Sequence, residues 1–169
     1  MKYFPLLYRL RAEKRYLIWI SDEKDSVVVD AGGFVPSFCD LIVLRKYAQM
    51  NRYSLENEEP ILHDLDWVAR WVATRDAQVD CKKALAAWNL FGDIAASVSR
   101  PGNAFDRLDS QMGPMYQKLF WGNNLLSMTP QGRQYIPEWS PEEITSLADV
   151  LTAGLDLFVS CIANWPPEN

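Results

Sequence analysis

The residues that could carry out chemistry in this chain are concentrated between positions 56 and 66. This stretch contains the only histidine, His63, and five carboxylates within eleven positions, with no Lys or Arg between them. A histidine beside a carboxylate is a common general acid or base, whereas clustered carboxylates also suit contact with a basic partner. The five acidic residues are Glu56, Glu58, Glu59, Asp64 and Asp66.

His63 lacks the sequence context of a catalytic or metal-binding residue. A Ser-His-Asp or Cys-His arrangement would have to use it, yet the sequence has no G-x-S-x-G elbow. Zinc sites draw several Cys and His ligands at tight spacing, and neither glycine-rich phosphate-binding pattern occurs. We therefore predict no catalytic residue, no cofactor and no metal ion, and interpret His63 as a surface or helix-entry residue. A small enzyme that uses His63 with a nearby carboxylate is the alternative.

The carboxylates exceed what local structure requires. Asp64 and Asp66 flank a predicted helix start, where the helix dipole stabilises a negative charge by about 0.3–1 kcal/mol. Glu56, Glu58 and Glu59 have no such role. Two interpretations remain open, namely a patch that binds a partner and a solvated acidic loop.

Three tryptophans extend the hypothesis of a partner-binding patch. Trp88 falls on the apolar face of a predicted helix and is assigned to the core. Trp67, Trp71 and Trp121 are not so easily placed, and Trp is enriched at interface hot spots. We predict a partner-binding surface from these three tryptophans and the five carboxylates, with core packing as the competing role for each tryptophan.

The pattern of apolar residues predicts an α+β fold in a single domain over residues 1–169. Residues 1–35 alternate with period two and are mainly strands, in a three-stranded meander in which Pro5 marks an edge strand or a late start. Residues 36–169 follow helical spacing, with predicted N-caps at Ser37, Asp64, Asp80 and Ser140. We therefore expect a small N-terminal antiparallel sheet packed with a larger C-terminal helical part.

The net charge of −5 conceals a difference between two regions of the chain. Residues 1–53 carry nine Lys and Arg against six Asp and Glu, whereas residues 54–169 carry eight against sixteen. The second region lacks the clustered basic residues that bind nucleic acid. Its acidity suits a basic protein partner, or else it only keeps the protein in solution.

Other features of the sequence predict a cytoplasmic protein. The stretch between Lys2 and Arg9 is too short for a signal-peptide core, and the apolar segment from Val150 to Trp165 is interrupted by Asp156. Three cysteines without CxxC spacing are interpreted as reduced thiols, mostly buried. We expect neither a membrane span nor a disulfide.

Two stretches resemble bacterial immunity proteins of contact-dependent growth inhibition and other polymorphic toxin systems. The first runs from Asp80-Cys81 through Trp88-Asn89-Leu90-Phe91, and the second contains Trp121-Gly122-Asn123-Asn124 and Trp139-Ser140. The resemblance implies a cytoplasmic antidote, not an enzyme, that binds the C-terminal domain of a cognate toxin, many of which are basic nucleases. It supplies no set of functional residues, so the eight-residue surface rests on charge and composition. A generic acidic adaptor is a further alternative.

Overall fold

The computed structural model describes residues 1–98, 102–125 and 133–166. The helices in these ranges are α1 (Leu41–Met50), α2 (Leu65–Thr74), α3 (Cys81–Ser97), α4 (Ala104–Asp109), α5 (Gly113–Gly122) and α6 (Pro141–Cys161). The strands are β1 (Lys2–Leu10), β2 (Glu13–Ser21), β3 (Ser26–Val27), β4 (Val35–Phe38), β5 (Leu62–Asp64) and β6 (Ile162–Trp165).

All six of these strands belong to one mixed sheet. Its order is β5-β1-β2-β4-β6, and β3 pairs with β2 beside β4. β1 and β2 form an antiparallel hairpin, turned by Arg11 and Ala12 at positive φ as a two-residue hairpin loop requires. The outer pairs β1·β5 and β4·β6 are parallel, and a long crossover that contains at least one helix connects the two strands of each pair. The α+β class is confirmed, with a sheet that is mostly N-terminal and not wholly antiparallel.

The sheet is the middle layer of three. Leu17 and Ile18 are neighbours on β2 and both are fully buried, because successive strand residues point to opposite faces. Leu17 joins the larger core against α2, α3 and α6, whereas Ile18 joins a smaller cluster under α1. Phe38 of β4 also belongs to that smaller cluster, whereas Val35 of β4 belongs to the larger core, so β2 and β4 are both apolar on two faces.

Most of the predicted helix starts are confirmed. Asp64 and Asp80 accept the capping hydrogen bonds of α2 and α3. Ser140 and Glu143 form the capping box of α6. The expected cap at Ser37 is wrong, since Ser37 is buried in β4 and the cap of α1 is Asp40.

Two other local expectations change in the structure. Pro5 lies inside β1 opposite Ile18, between the Tyr3–Leu55 bridge and the Leu7–Leu62 pair of the neighbouring parallel ladder. Its missing N–H therefore falls in a gap in that ladder, so Pro5 requires neither an edge strand nor a late start. The apolar spacing of the final helix continues to Ile162 and predicts a helix that is stopped by Pro166. In the structure the helix ends at Cys161, because the chain turns into β6.

Helix α6 is the central helix of the core. Its length and apolar composition would allow it to span a membrane, but half of its most apolar window is buried inside the protein. Gly154 of α6 brings the backbone against the ring of Phe91 on α3, with no room for a side chain. These contacts are those of a core helix in a globular protein.

Two of the helical glycines, Gly154 and Gly92, should respond in opposite ways to substitution by alanine. The Cβ of Gly154→Ala would overlap the Phe91 ring, so we expect the free energy of unfolding to fall by about 1–3 kcal/mol. A Cβ at Gly92 would meet nothing within 4 Å, so Gly92→Ala should raise the free energy of unfolding by up to about 1 kcal/mol. Urea unfolding measures both, and equal stabilities for the two variants would contradict the packing described.

Candidate partner-binding groove

A groove of about 790 Å³ lies between β1, β2, α3 and the segment that leads into β5. Five carboxylates line it, against one lysine, Lys82, and one histidine, His63. We call it the acidic groove, and its carboxylates are Asp25, Glu58, Glu59, Asp93 and Asp109.

Aromatic side chains form much of the wall of the acidic groove. Phe4 and Trp19 lie on the sheet side with ring centroids 5.6 Å apart. Trp88 and Tyr116 lie on the helical side and meet edge to face at 5.7 Å. Rings next to carboxylates give the groove surfaces that suit both an apolar and a positively charged group.

Two of the carboxylates are each oriented by an indole N–H. Trp19 Nε1 donates to Asp93 Oδ2 at 2.9 Å, and Trp88 Nε1 donates to Asp109 Oδ1 at 2.6 Å. Burial raises the pKa of Asp93 to about 6, with Asp25 adding to the rise and the Trp19 hydrogen bond opposing it. The Asp93 carboxyl therefore gains or loses its proton near pH 6, where most aspartates are fully ionised.

In the part of the chain that the structure describes, the groove carboxylates form no ion pair, although Lys82 lines the groove. The ion pairs there involve other carboxylates, and none joins a Lys or Arg to the five that line the groove. A concave surface lined by one sign of charge focuses the electrostatic potential. The groove therefore attracts cations and basic surfaces.

The structure divides the five predicted carboxylates among different roles. Glu58 and Glu59 are exposed at the rim of the acidic groove. Glu56 is 3.7 Å from Lys2 Nζ and lies outside the groove. Of the five predicted carboxylates, only Glu58 and Glu59 line the acidic groove.

Asp64 and Asp66 are occupied by contacts within the protein. The Asp64 side chain is 8% exposed and contacts Arg9 at 2.8 Å and Lys83 at 3.2 Å. Burial raises the pKa of Asp64, but hydrogen bonds from Arg9, the Trp67 N–H and Lys83 outweigh burial and lower it overall. Asp66 accepts the backbone N–H groups of the β1–β2 turn at 2.6 and 2.9 Å.

None of the three predicted tryptophans lines the acidic groove. Trp71 is 3% exposed, stacks on Trp67 at 6.0 Å, and donates its indole N–H to backbone carbonyls of the loop after α2. Trp67 and Trp71 line a separate depression with Trp139. Trp121 is 50% exposed and contacts Phe120 edge to face. Core packing therefore accounts for Trp71, whereas Trp121 is accessible to a partner.

His63 is held by the backbone on the wall of the acidic groove. It is part of β5, opposite Tyr8, and its Nδ1 lies 3.3 Å from the Ile61 carbonyl oxygen. Burial lowers the pKa of His63, and hydrogen bonds with the backbone of Ile61 and Leu7 oppose this effect. Among the described residues no carboxylate hydrogen-bonds to its ring, and no cluster of three or more ligating side chains could hold a metal ion.

One pattern in the sequence could have indicated part of the groove. Asn89, Asp93 and Ser97 recur every four residues along α3, which places polar groups on one side of a largely apolar helix. Asp25 and Asp109 carry no such signal. They come to the groove from distant parts of the chain and are brought there by packing alone.

Substituting Asp93 should change how stability depends on pH. Because the pKa of Asp93 is raised in the folded protein, its stabilising effect is complete below the unfolded value, about 4, and is lost as pH rises through about 6. Asp93→Asn keeps an oxygen for the Trp19 N–H but cannot titrate. We expect wild-type stability to fall relative to Asp93→Asn between about pH 4 and pH 6 in urea unfolding, and the difference to level off at higher pH. Exposed Asp156→Asn is the control, and parallel curves for wild type and Asp93→Asn would contradict the assignment.

Comparison with known proteins supports the fold. No protein-family model and no curated protein matches the chain. A solved structure described as the crystal structure of the SatS C-terminal domain in complex with bromine is similar in fold, with a TM-score of 0.56 over 96% of this chain and 93% of that chain. The sequence identity is 12%, so the chain is similar to that domain in architecture alone.

Proposed function

We propose that this protein is a binding protein that neutralises a basic toxin domain, with the acidic groove as its docking surface. The observation that carries the proposal is the set of five groove carboxylates without an ion-pair partner among the described residues. Carboxylates paired within the protein mainly support the fold, whereas unpaired ones retain their charge for an external partner.

A basic nuclease domain has the complementary chemistry. Such a domain binds phosphate backbones through Lys and Arg, so its active surface carries positive charge. An acidic groove can cover that surface and compete with nucleic acid for it. The resemblance of residues 80–97 and 118–140 to immunity proteins is the reason to propose a toxin in preference to an arbitrary basic protein.

The rim of the groove combines charge with an exposed apolar residue. Ile61 is 76% exposed and lines the groove next to Glu58 and Glu59. An exposed apolar side chain flanked by carboxylates gives a partner both buried area and charge pairing. Standard interfaces bury about 1,200–2,000 Å², so the partner would extend beyond the groove onto this rim.

The remaining residues of the predicted surface receive narrower roles. Asp64, Asp66 and Trp71 are engaged by contacts within the protein. Glu56, Trp67 and Trp121 lie outside the groove lining and are secondary candidates for contact.

Free thiols support the proposed cytoplasmic location. Cys39 is exposed, Cys81 and Cys161 are buried, and none of the three forms a disulfide. Reduced cysteines persist in the reducing environment of the cytoplasm. An antidote to a toxin that acts inside the cell would have to be present there.

Neutralising the groove rim should slow association with the partner. We expect Glu58→Gln with Glu59→Gln to reduce the association rate constant by roughly 3- to 10-fold at low ionic strength, with a smaller effect at high salt because ions screen exposed charges. If the neighbouring reading frame encodes a toxin, its C-terminal domain is the partner to use in a stopped-flow or surface-binding measurement.

The matched control replaces two exposed carboxylates elsewhere, Glu138→Gln with Asp156→Asn. It removes the same charge from the protein but leaves the groove unchanged. An equal reduction in both double variants would indicate a net-charge effect and contradict the groove. A neighbouring metabolic gene in place of a toxin gene would contradict the toxin assignment.

A second candidate function is an enzyme that uses His63, because His63 lines the same groove as the carboxylates. Its backbone hydrogen bond and the missing carboxylate contact favour a structural role. We expect His63→Ala to retain full protection of cells against the toxin, measured as colony survival during toxin expression. Loss of protection by a folded His63→Ala protein that still binds the toxin would support the enzyme.

A further inference from the structure

We propose that this protein forms a two-fold dimer through an exposed apolar patch at the end of α5. The patch consists of Trp121, Leu125, Tyr135 and Ile136, which are between 40% and 80% exposed. Large apolar side chains that lie exposed beside one another usually mark a surface that another molecule covers. The molecule that covers this patch is a second copy of the chain.

Hydrogen bonds and close packing join the two segments that carry the apolar patch. The Asn124 amide donates to the carbonyl oxygens of Gly122 and Tyr135 at 3.0 and 2.9 Å, and its Oδ1 accepts the Tyr135 N–H at 2.8 Å. Gly122 lies so close to the second segment that a Cβ there would be 2.8 Å from Pro137 Cγ. The patch is therefore ordered before it binds, which lowers the conformational entropy that binding costs.

A depression beside the apolar patch gives this surface a shape that fits its own copy. Ile136 lines the depression, which has a volume of about 760 Å³ and also has Trp67 and Trp139 in its lining. Both tryptophans are partly exposed, and each is held in place, Trp67 by its stack on Trp71 and Trp139 by Lys118 Nζ at 4.9 Å from the ring centroid.

A two-fold axis makes this contact reciprocal. The Ile136 side chain of each copy can enter the depression of the other copy, so that both isoleucines are buried at once. Because Ile136 lines its own depression, the two isoleucines then lie close to each other and to the axis. Aromatic residues such as Trp67 and Trp139 are enriched in interfaces of this kind.

The charges around the depression fit a second copy better than they fit a basic protein or an anionic lipid surface. Arg70, Asp76 and Asp80 line the depression, and Arg133 is exposed two residues before Tyr135. In the described part of the chain none of these four charged residues forms an ion pair. A surface that presents both signs of charge complements itself across a two-fold axis. A basic toxin would meet the two arginines, and an anionic lipid surface would meet the two aspartates.

The dimer surface is separate from the acidic groove. No residue of the apolar patch lines the groove, and neither does Trp67 or Trp139. Trp67 and Trp121 therefore contact a second copy in the dimer and leave the groove to the toxin. Self-association and toxin binding can succeed or fail independently of each other.

Sedimentation equilibrium of the full chain tests the dimer. The apparent mass should rise from 19.4 kDa towards twice that value between about 1 and 300 µM protein. Ile136→Asp puts a charge at the centre of the apolar contact, so it should raise the dissociation constant of the dimer by at least about tenfold. Ile42→Asp is the matched control, because Ile42 on α1 is 77% exposed against 80% for Ile136. This control should leave the dissociation constant unchanged.

Two outcomes of sedimentation would overturn the inference. One is a wild-type protein that stays at 19.4 kDa over the whole concentration range. The other is an equal loss of dimer in Ile136→Asp and Ile42→Asp, which would indicate an effect of charge and not of the apolar patch.

Disulfide trapping tests the position of the two-fold axis. The background variant is Cys39→Ser, which removes the exposed native thiol. In it, Ile136→Cys should form a covalent dimer on mild oxidation, since residues beside the axis bring their Cα atoms within the roughly 4–7 Å that a disulfide requires. Ile42→Cys is the control and should cross-link at least about tenfold more slowly. Equal rates for the two variants would overturn the placement of Ile136 at the axis and with it the proposed dimer.

Discussion

The arrangement of several elements depends on the contacts made by the Asp64 carboxylate. Asp64 ends β5, caps α2, and pairs with Arg9 of β1 and Lys83 of α3. A largely buried carboxylate that lost these partners would leave an uncompensated charge, which is among the most costly changes a protein can undergo. Asp66, in the first turn of α2, secures the adjacent β1–β2 turn. Together they fix the segment that carries Glu58, Glu59 and His63 against α3.

Carboxylates therefore have two different effects in this protein. The charge of Asp64 is balanced by Arg9 and Lys83, so this residue contributes to the stability of the fold. The charges in the acidic groove are not cancelled within the described residues, so they act on whatever approaches from outside. A count of acidic residues along the chain does not separate these roles. The division depends on which side chains face basic residues after folding.

Structural features that depend on a few adjacent residues could be predicted from the sequence. Features that depend on contacts between residues distant in sequence could not. The caps at Asp64, Asp80 and Ser140 follow from a few adjacent residues, and so does the hairpin of β1 and β2. Strands β5 and β6 have three and four residues and exist only because they pair with β1 and β4, so no local pattern identifies them. In the groove, charge density predicts Glu58 and Glu59, whereas Asp25 and Asp109 are distant in sequence and come to the groove only through folding.

Strand β6 has a consequence for how the protein forms during synthesis. Ile162 pairs with Val35 and Trp165 with Phe38, so a strand near the end of the sequence completes a sheet begun near its start. Contacts between such distant residues must wait for loop closure and slow folding. On the ribosome, β4 emerges long before its neighbour. Its outer edge stays open to other chains until α6 and β6 have been synthesised, which is the interval when a chaperone would be most useful to this protein.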